Sequence, residues 1–175
     1  MDKLFLREIV PEDKEEILEF LKEFAENGSV ENSLAGVVDC TSFEDYLRKL
    51  KERKEMPFTS YEQEKVPGTN YLLVRESDNR IVGSVNIRFQ LNRMLDERFG
   101  GHIGYGIRPT ERRKGYATEA LKLALDVCRK HGLKSVKLGC LTNNIGSRKT
   151  ILNNGGKLIN HKELLIPEDY YEINL

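Results

Sequence analysis

The chain has 175 residues, and at roughly 100–200 residues per domain it is expected to form one domain spanning 1–175. Lys and Arg number 28, as do Asp and Glu, so no basic excess marks a nucleic-acid partner. Hydrophobic residues at 39% and charged residues at 32% describe a globule with a covered core rather than a disordered chain.

Apolar runs such as Tyr71-Leu72-Leu73-Val74 are too short to span a bilayer, so no membrane association is expected. No apolar stretch of signal-peptide type follows Met1, and a cytoplasmic location is expected. Cys40, Cys128 and Cys140 show no Cys-x-x-Cys spacing, and His102, His131 and His161 are scattered. Neither a disulfide framework nor a bound metal is expected.

Leu4-Phe5-Leu6, within Lys3 to Ile9, reads as a first strand. Asp13 and Glu16 have capping-box spacing, and Ile17, Leu18, Phe20, Leu21, Phe24 and Ala25 supply the stripe of a helix that ends at Asn27-Gly28. Thr41 and Glu44 repeat that spacing ahead of Phe43, Tyr46, Leu47 and Leu50, and Pro57 stops the second helix. Between Glu55 and Thr69 no period is clear, and Pro67-Gly68 signals a turn.

Tyr71 to Arg75, the turn Ser77-Asp78-Asn79 and Ile81 to Phe89 read as a hairpin. In its second strand Ile81, Val85, Ile87 and Phe89 share one parity, and Ser84, Asn86, Arg88 and Gln90 the other. Gly100 to Ile107 reads as a third strand. Ala117 to His131 is the clearest helix, closed by Gly132, and Val136, Leu138 and Cys140 alternate as a strand. A short helix over Asn144 to Asn154 and strands over Lys157 to Leu165 and Tyr170 to Leu175 complete the order. Mixed α and β without strict alternation predicts an α+β chain rather than a doubly wound sheet.

The segment from Gly104 to Glu119 carries the chemistry. A strand runs into a basic, glycine-containing loop that opens directly onto an amphipathic helix. The first amides of a helix lack internal partners and carry the positive end of its dipole, so such a loop suits a phosphate group. The spacing fits neither a Walker loop nor Gly-x-Gly-x-x-Gly. Read alone, Arg112-Arg113-Lys114 is equally a solvated charge run.

Arg112-x-x-Gly115-x-Ala117, after a strand ending at Ile107, resembles the acyl-CoA pyrophosphate loop of the GNAT superfamily of N-acetyltransferases. Asn144-Ile145-Gly146-Ser147 resembles that family's Asn-x-x-Ser/Ala helix start, and Asn153-Asn154-Gly155-Gly156 sits where members often have a Gly-Phe pair. Gly101-His102-Ile103-Gly104-Tyr105 resembles a bacterial branch of predicted acetyltransferases. The element order makes the resemblance cover nearly the whole chain. It implies the acyl-CoA N-acyltransferase fold, a mostly antiparallel sheet splayed between its fourth and fifth strands and flanked by helices.

The resemblance also implies acetyl-CoA as co-substrate. Backbone around Ile107 would bind the pantetheine arm, and the amides of Arg113, Lys114, Gly115, Tyr116, Ala117 and Thr118 would cradle the pyrophosphate, beside Arg112. Asn144 and Ser147 would contact the cofactor from across the splay, although both types also favour plain helix capping. An alkylammonium, with a pKa of about 10, must lose a proton before it attacks. Some members carry a Glu or His base on the strand before the loop, where this chain has His102, whose alternative is simply to fill a strand position. Many members carry a Tyr acid seven residues after the helix-start Asn, where this chain has Ile151. Tyr105, Tyr116, Tyr170 and Tyr171 are the remaining phenols for the acid, although each also reads as an ordinary half-buried aromatic, and solvent could protonate the thiolate instead.

Segment 26–64 holds Glu26, Glu31, Asp39, Glu44, Asp45, Glu62 and Glu64, which suit a cationic amine, but Lys49, Lys51, Arg53 and Lys54 lie among them. The expected acceptor is a small primary amine or amino acid derivative, with peptide amines open, and its nitrogen is expected to attack the thioester directly. The alternative is a catalytically weak acyl-CoA sensor; a protein-interaction domain with a coincidental loop is a third reading. The family's frequent dimers make a homodimer an arrangement that the resemblance allows.

Overall fold

The computed structural model describes residues 2–31, 33–34, 36–97, 100–163 and 165–175; Met1, at the start of the signal-peptide reading, and Leu164, in a predicted final strand, lie outside them. In chain order the elements are β1 Leu4–Glu8, α1 Lys14–Glu26, α2 Phe43–Glu55, β2 Gly68–Arg75, β3 Arg80–Arg88, α3 Arg93–Glu97 and β4 Ile103–Ile107. They continue as α4 Tyr116–Lys130, β5 Ser135–Leu141, α5 Ile145–Asn153, β6 Lys157–Lys162 and β7 Glu168–Asn174. Two antiparallel sheets result, ordered β1-β2-β3-β4 and β5-β7-β6.

The sheets meet at the start of β4. Gly101 bridges to Leu138, the His102 N–H donates to the Lys137 carbonyl at 2.8 Å, and the Gly139 N–H donates to that of Gly100 at 2.8 Å. Gly101 has φ +90° and a Cβ there would sit 2.1 Å from the Lys137 carbonyl oxygen, so only glycine permits this crossing. Beyond it β4 and β5 form no ladder among the described residues, so the sheet is splayed between its fourth and fifth strands.

The first sheet is covered on both faces. Leu121, Ala124 and Cys128 of α4 pack with Leu4, Leu73, Val85 and Ile87, and Ile17, Phe20 and Phe24 of α1 pack with Leu72, Val74 and Ile81. Each Leu, Ile, Val or Phe among them contributes about 1.5–3 kcal/mol through its removal from water. A register shift between Leu73 and Val74 turns Ile81 away from Val85 and Ile87, contrary to the single parity expected of that strand. The opposite parity is buried as well: Ser84 and Asn86 are fully buried, Ser84 against Ser33 and Asn86 against Arg53.

Both expected capping boxes shift. Asp13 is drawn to Arg7 (2.6 and 2.7 Å) and to the Val10 N–H (2.8 Å), and Glu16 accepts from the Ile81 N–H at 2.8 Å. Thr41 also yields its place, because Ser42 is the N-cap and accepts from the Asp45 N–H. β4, expected from Gly100, begins only at Ile103, since Gly100 and Gly101 are spent on the crossing. The penultimate strand ends at Lys162 rather than at Leu165.

Candidate functional site

A cleft of 550 Å³ opens between the second half of β4, the N-terminus of α4 and the start of α5. It is lined by Tyr105, Ile107, Gly115, Thr118, Asn144 and Ser147, among others. Arg112, Arg113, Tyr116 and Ala117 also line it, whereas Lys114 turns to Glu111, 2.7 Å away. The sequence-predicted loop and helix-start residues thus come together across one gap.

Two left-handed residues shape the loop: Arg113 at φ +66° and Gly115 at φ +82°, the N-cap of α4. Their turn leaves the consecutive N–H groups of residues 113–117 without an acceptor among the described residues, while the Thr118 N–H donates to the Gly115 carbonyl at 3.1 Å. Unpaired amides at the positive end of a 15-residue helix form an anion cradle. The loop is held from behind. Arg108 is buried, donates from Nε to the Ile81 carbonyl at 2.9 Å, pairs with Glu23 at 3.1 Å and faces the Phe20 ring. Arg112 donates from Nε to the Ile107 carbonyl at 3.1 Å and lies over Phe24, so its charge is braced rather than free.

Even-numbered residues bond β4 to its neighbour, with the Arg88 N–H donating to the His102 carbonyl and the Arg108 N–H to that of Val82. The N–H groups of Tyr105 and Ile107 therefore point to the open edge beside the cleft. The Tyr105 hydroxyl lies 2.8 Å from Ser147 Oγ, and burial above all pushes this phenol up to about 12. Asn144 Oδ1 caps α5 by accepting from the Ser147 N–H at 3.0 Å. Ile151 is wholly buried in the core. The other phenols are engaged elsewhere: Tyr116 with Asp2 and Arg75, Tyr170 with Glu168, and Tyr171 with Asp169.

His102 is not among the residues lining the cleft. Its Nδ1 accepts from the Lys137 N–H at 3.0 Å, which commits the lone pair and leaves the ring proton on Nε2. Burial first, then the Lys137 and Arg88 charges, draw its pKa down to about 4 against the raising effect of Asp96.

A second cavity, of 830 Å³, lies under α2 beside β3, lined by Tyr46, Arg53, Met56, Asn86, Arg88 and Leu95 among others. Sequence reasoning assigned Arg88 no role and took Arg53 only as one charge among many. The available signal was Asn86 and Arg88 at alternate positions of a strand that helices cover on both sides. Near it the Glu31 carboxylate accepts from the Ser33 N–H at 2.7 Å, the Leu34 N–H at 2.9 Å and Ser84 Oγ at 3.2 Å. A Cβ on Gly106 of β4 would stand 2.9 Å from Glu31 Oε1, so this carboxylate abuts the strand that lines the cleft.

The family model described as an acetyltransferase (GNAT) domain matches residues 3–157. The chain belongs to the GNAT acetyltransferase family. Solved structures share its fold across nearly the whole length. A GNAT-family acetyltransferase from Streptococcus pneumoniae is 17% identical with a TM-score of 0.67, covering 99% of this chain and 100% of its own. RimJ of Mycobacterium smegmatis, solved with CoA-disulfide, is 16% identical with a TM-score of 0.72, covering 98% and 81%. The Microcin C7 self-immunity acetyltransferase MccE, solved with acetyl-CoA and AMP, is 16% identical with a TM-score of 0.68, covering 100% and 94%. A comparison with curated protein sequences gives no match. No helix among the described residues is long and apolar enough to cross a membrane.

Proposed function

We propose that this chain is an acetyl-CoA-dependent N-acetyltransferase, a single domain over 1–175 that works in the cytoplasm on a primary amine. The observation that carries the reading is the run of unpaired amides from Arg113 to Ala117 at the head of α4, opening on the same cleft as Ile107, Asn144 and Ser147. These residues fit a pyrophosphate followed by a pantetheine arm. Acetyl-CoA, when bound, supplies an activated thioester. The chain's own residues then have four tasks.

The loop amides and the charge of Arg113 hold the phosphates. The Ile107 N–H, on the open edge of β4, is available to the developing oxyanion. Tyr105 keeps its proton because burial disfavours the phenolate, so its hydroxyl, beside Ser147, can donate a hydrogen bond to the departing thiolate as that charge develops. Asn144 fixes the start of α5 and so the position of Ser147. His102 has no proton-accepting task in this reading, since its Nδ1 lone pair already serves the Lys137 amide. The sensor alternative rested on Ile151 at the usual Tyr position; Tyr105 supplies a hydroxyl at the cleft, which favours turnover.

The test is calorimetric titration with acetyl-CoA and with CoA, followed by thiol release against a panel of amines. Saturable binding and release dependent on an amine are expected. No binding at millimolar acetyl-CoA would overturn the proposal, and binding without release from any amine would leave the sensor.

A further inference from the structure

The cavity under α2 holds two guanidinium groups that no carboxylate answers. Arg53, on the last turn of α2, and Arg88, at the end of β3, are both partly buried and both line it. Among the described residues neither forms an ion pair. Arg88 donates from Nη1 to the Gly101 carbonyl at 2.9 Å. Arg53 meets a neutral amide: Asn86, with its oxygen toward the guanidinium, accepts from Nη1 and Nη2 at 3.2 and 3.1 Å.

The surrounding carboxylates are paired elsewhere or exposed. Arg48 takes Asp45 and Glu52, Lys49 takes Asp45, and Arg93 takes Glu62. Asp39, Glu64 and Lys65 are on the rim and exposed. Burial lowers the pKa of both arginines, and for Arg88, drawn down to about 10, the Arg53 charge adds to it.

A buried cation without a counter-charge is costly, and two close together repel as well. Such a pair suits an incoming anion, and the planar fork of arginine matches a carboxylate with two parallel hydrogen bonds. A negative charge stands toward β4. The Tyr46 hydroxyl, which accepts from Asn70 Nδ2 at 2.8 Å, lies in the field of both Glu31 and Arg53. Cations thus stand at the Arg53 and Arg88 side of the cavity. The Glu31 carboxylate lies outside its lining, beyond Tyr46 and against Gly106 of β4, held by the Ser33 and Leu34 N–H groups and Ser84 Oγ.

We propose that the acetyl acceptor carries a carboxylate besides its amine, the carboxylate seated on Arg53 and Arg88 and the amine directed toward Glu31 and β4. An amino acid or a close derivative has that chemistry, whereas a polyamine does not. The inference rests on the acetyltransferase reading. In the transfer the ammonium first gives up one proton to solvent water, and its nitrogen then forms a bond to the acetyl carbonyl carbon. The carbon–sulfur bond breaks, and the nitrogen's second proton balances the one that the thiolate takes up.

The experiment offers the wild type acetyl-CoA with pooled L-amino acids or with their carboxamides, and follows thiol release. The free acids are expected to react roughly 30-fold faster or more, since losing one partner of a desolvated charge pair weakens recognition strongly. Arg53→Gln and Arg88→Gln should each reduce that preference to about threefold through KM, with acetyl-CoA affinity unchanged. Both should fold, because each removes a like-charge repulsion, and melting curves check this. Amides as good as acids, or a preference intact in both variants, would overturn the inference while leaving the acetyltransferase reading in place. Failure to bind acetyl-CoA would instead sink that reading. If neither pool reacts, succinate against succinamide decides: succinate raising the melting temperature of the wild type but not of the Gln variants supports the anion seat, and equal shifts remove it.

Discussion

The two cavities present different kinds of donor. The cleft at the head of α4 presents backbone N–H groups of residues 113–117, whereas the cavity under α2 presents the side chains of Arg53 and Arg88. Backbone donors depend on chain geometry, so they are specified by a few consecutive residues with left-handed angles at Arg113 and Gly115. Side-chain donors depend on which elements pack together, and Arg53 and Arg88 meet only because α2 lies over β2 and β3. The first arrangement tolerates changes in most of its side chains, because the donors belong to the backbone. The second can be rewritten by single substitutions without disturbing the sheet.

The hardest blow to the comparison falls on the brace shared by loop and core. Arg108→Met leaves Glu23 and Glu16 beside a buried site with no cation, and breaking a buried pair costs about 3–5 kcal/mol. Urea unfolding should show that loss. A change below about 1 kcal/mol would mean that Glu23 finds water, and that the loop start is not tied to α1 through this residue.

Gly115→Asp separates the cavities. At φ +82° any side chain is strained, and a carboxylate beside the amides opposes a phosphate. Acetyl-CoA affinity should fall by roughly 100-fold or more, read by calorimetry, with far-ultraviolet dichroism unaltered. Unchanged affinity would remove the loop from the cofactor site. Tyr105→Phe is narrower still: kcat is expected to drop by about 30- to 100-fold while acetyl-CoA affinity stays within twofold. Equal losses in kcat and affinity would make the hydroxyl a packing group for Ser147.

What the sequence disclosed follows the same division. The helix over Tyr116–Lys130 and the strand over Ser135–Leu141 are legible because a single period runs through each. The loop is legible because its glycine, small residue and helix start lie within six positions of Arg112. The capping boxes were misjudged because a distant partner won: Arg7 holds Asp13, and the Ile81 N–H holds Glu16. The short helix Arg93–Glu97 carries too few residues to show a period. The alternation of Ser84 and Asn86 with apolar residues does not show what covers them; both are buried because Ser33 meets Ser84 and Arg53 meets Asn86. A polar stripe in a covered strand reports a site, but only the fold reveals that the strand is covered.

The smallest expected effect concerns the seam between the cavities. His102 ties β4 to β5 through Lys137, and its carbonyl accepts the Arg88 N–H at 2.8 Å. Folded, the imidazole takes a proton only near pH 4; unfolded, it does so near its ordinary 6.5. Between those values the unfolded chain binds more protons, so stability rises with pH through this window and is lost on acidification toward 4. Allowing for partial exposure, the share due to His102 is about 2 kcal/mol. His102→Asn keeps an acceptor where Nδ1 stood and cannot titrate. Urea unfolding from pH 7 to 4.5 should therefore fall less steeply in the variant, with thiol release at pH 7.5 within about threefold of wild type. Equal slopes would deny the histidine its part in the seam. A loss of release near 100-fold, with affinity for acetyl-CoA kept, would return to His102 the proton-accepting role that its bond to Lys137 argues against.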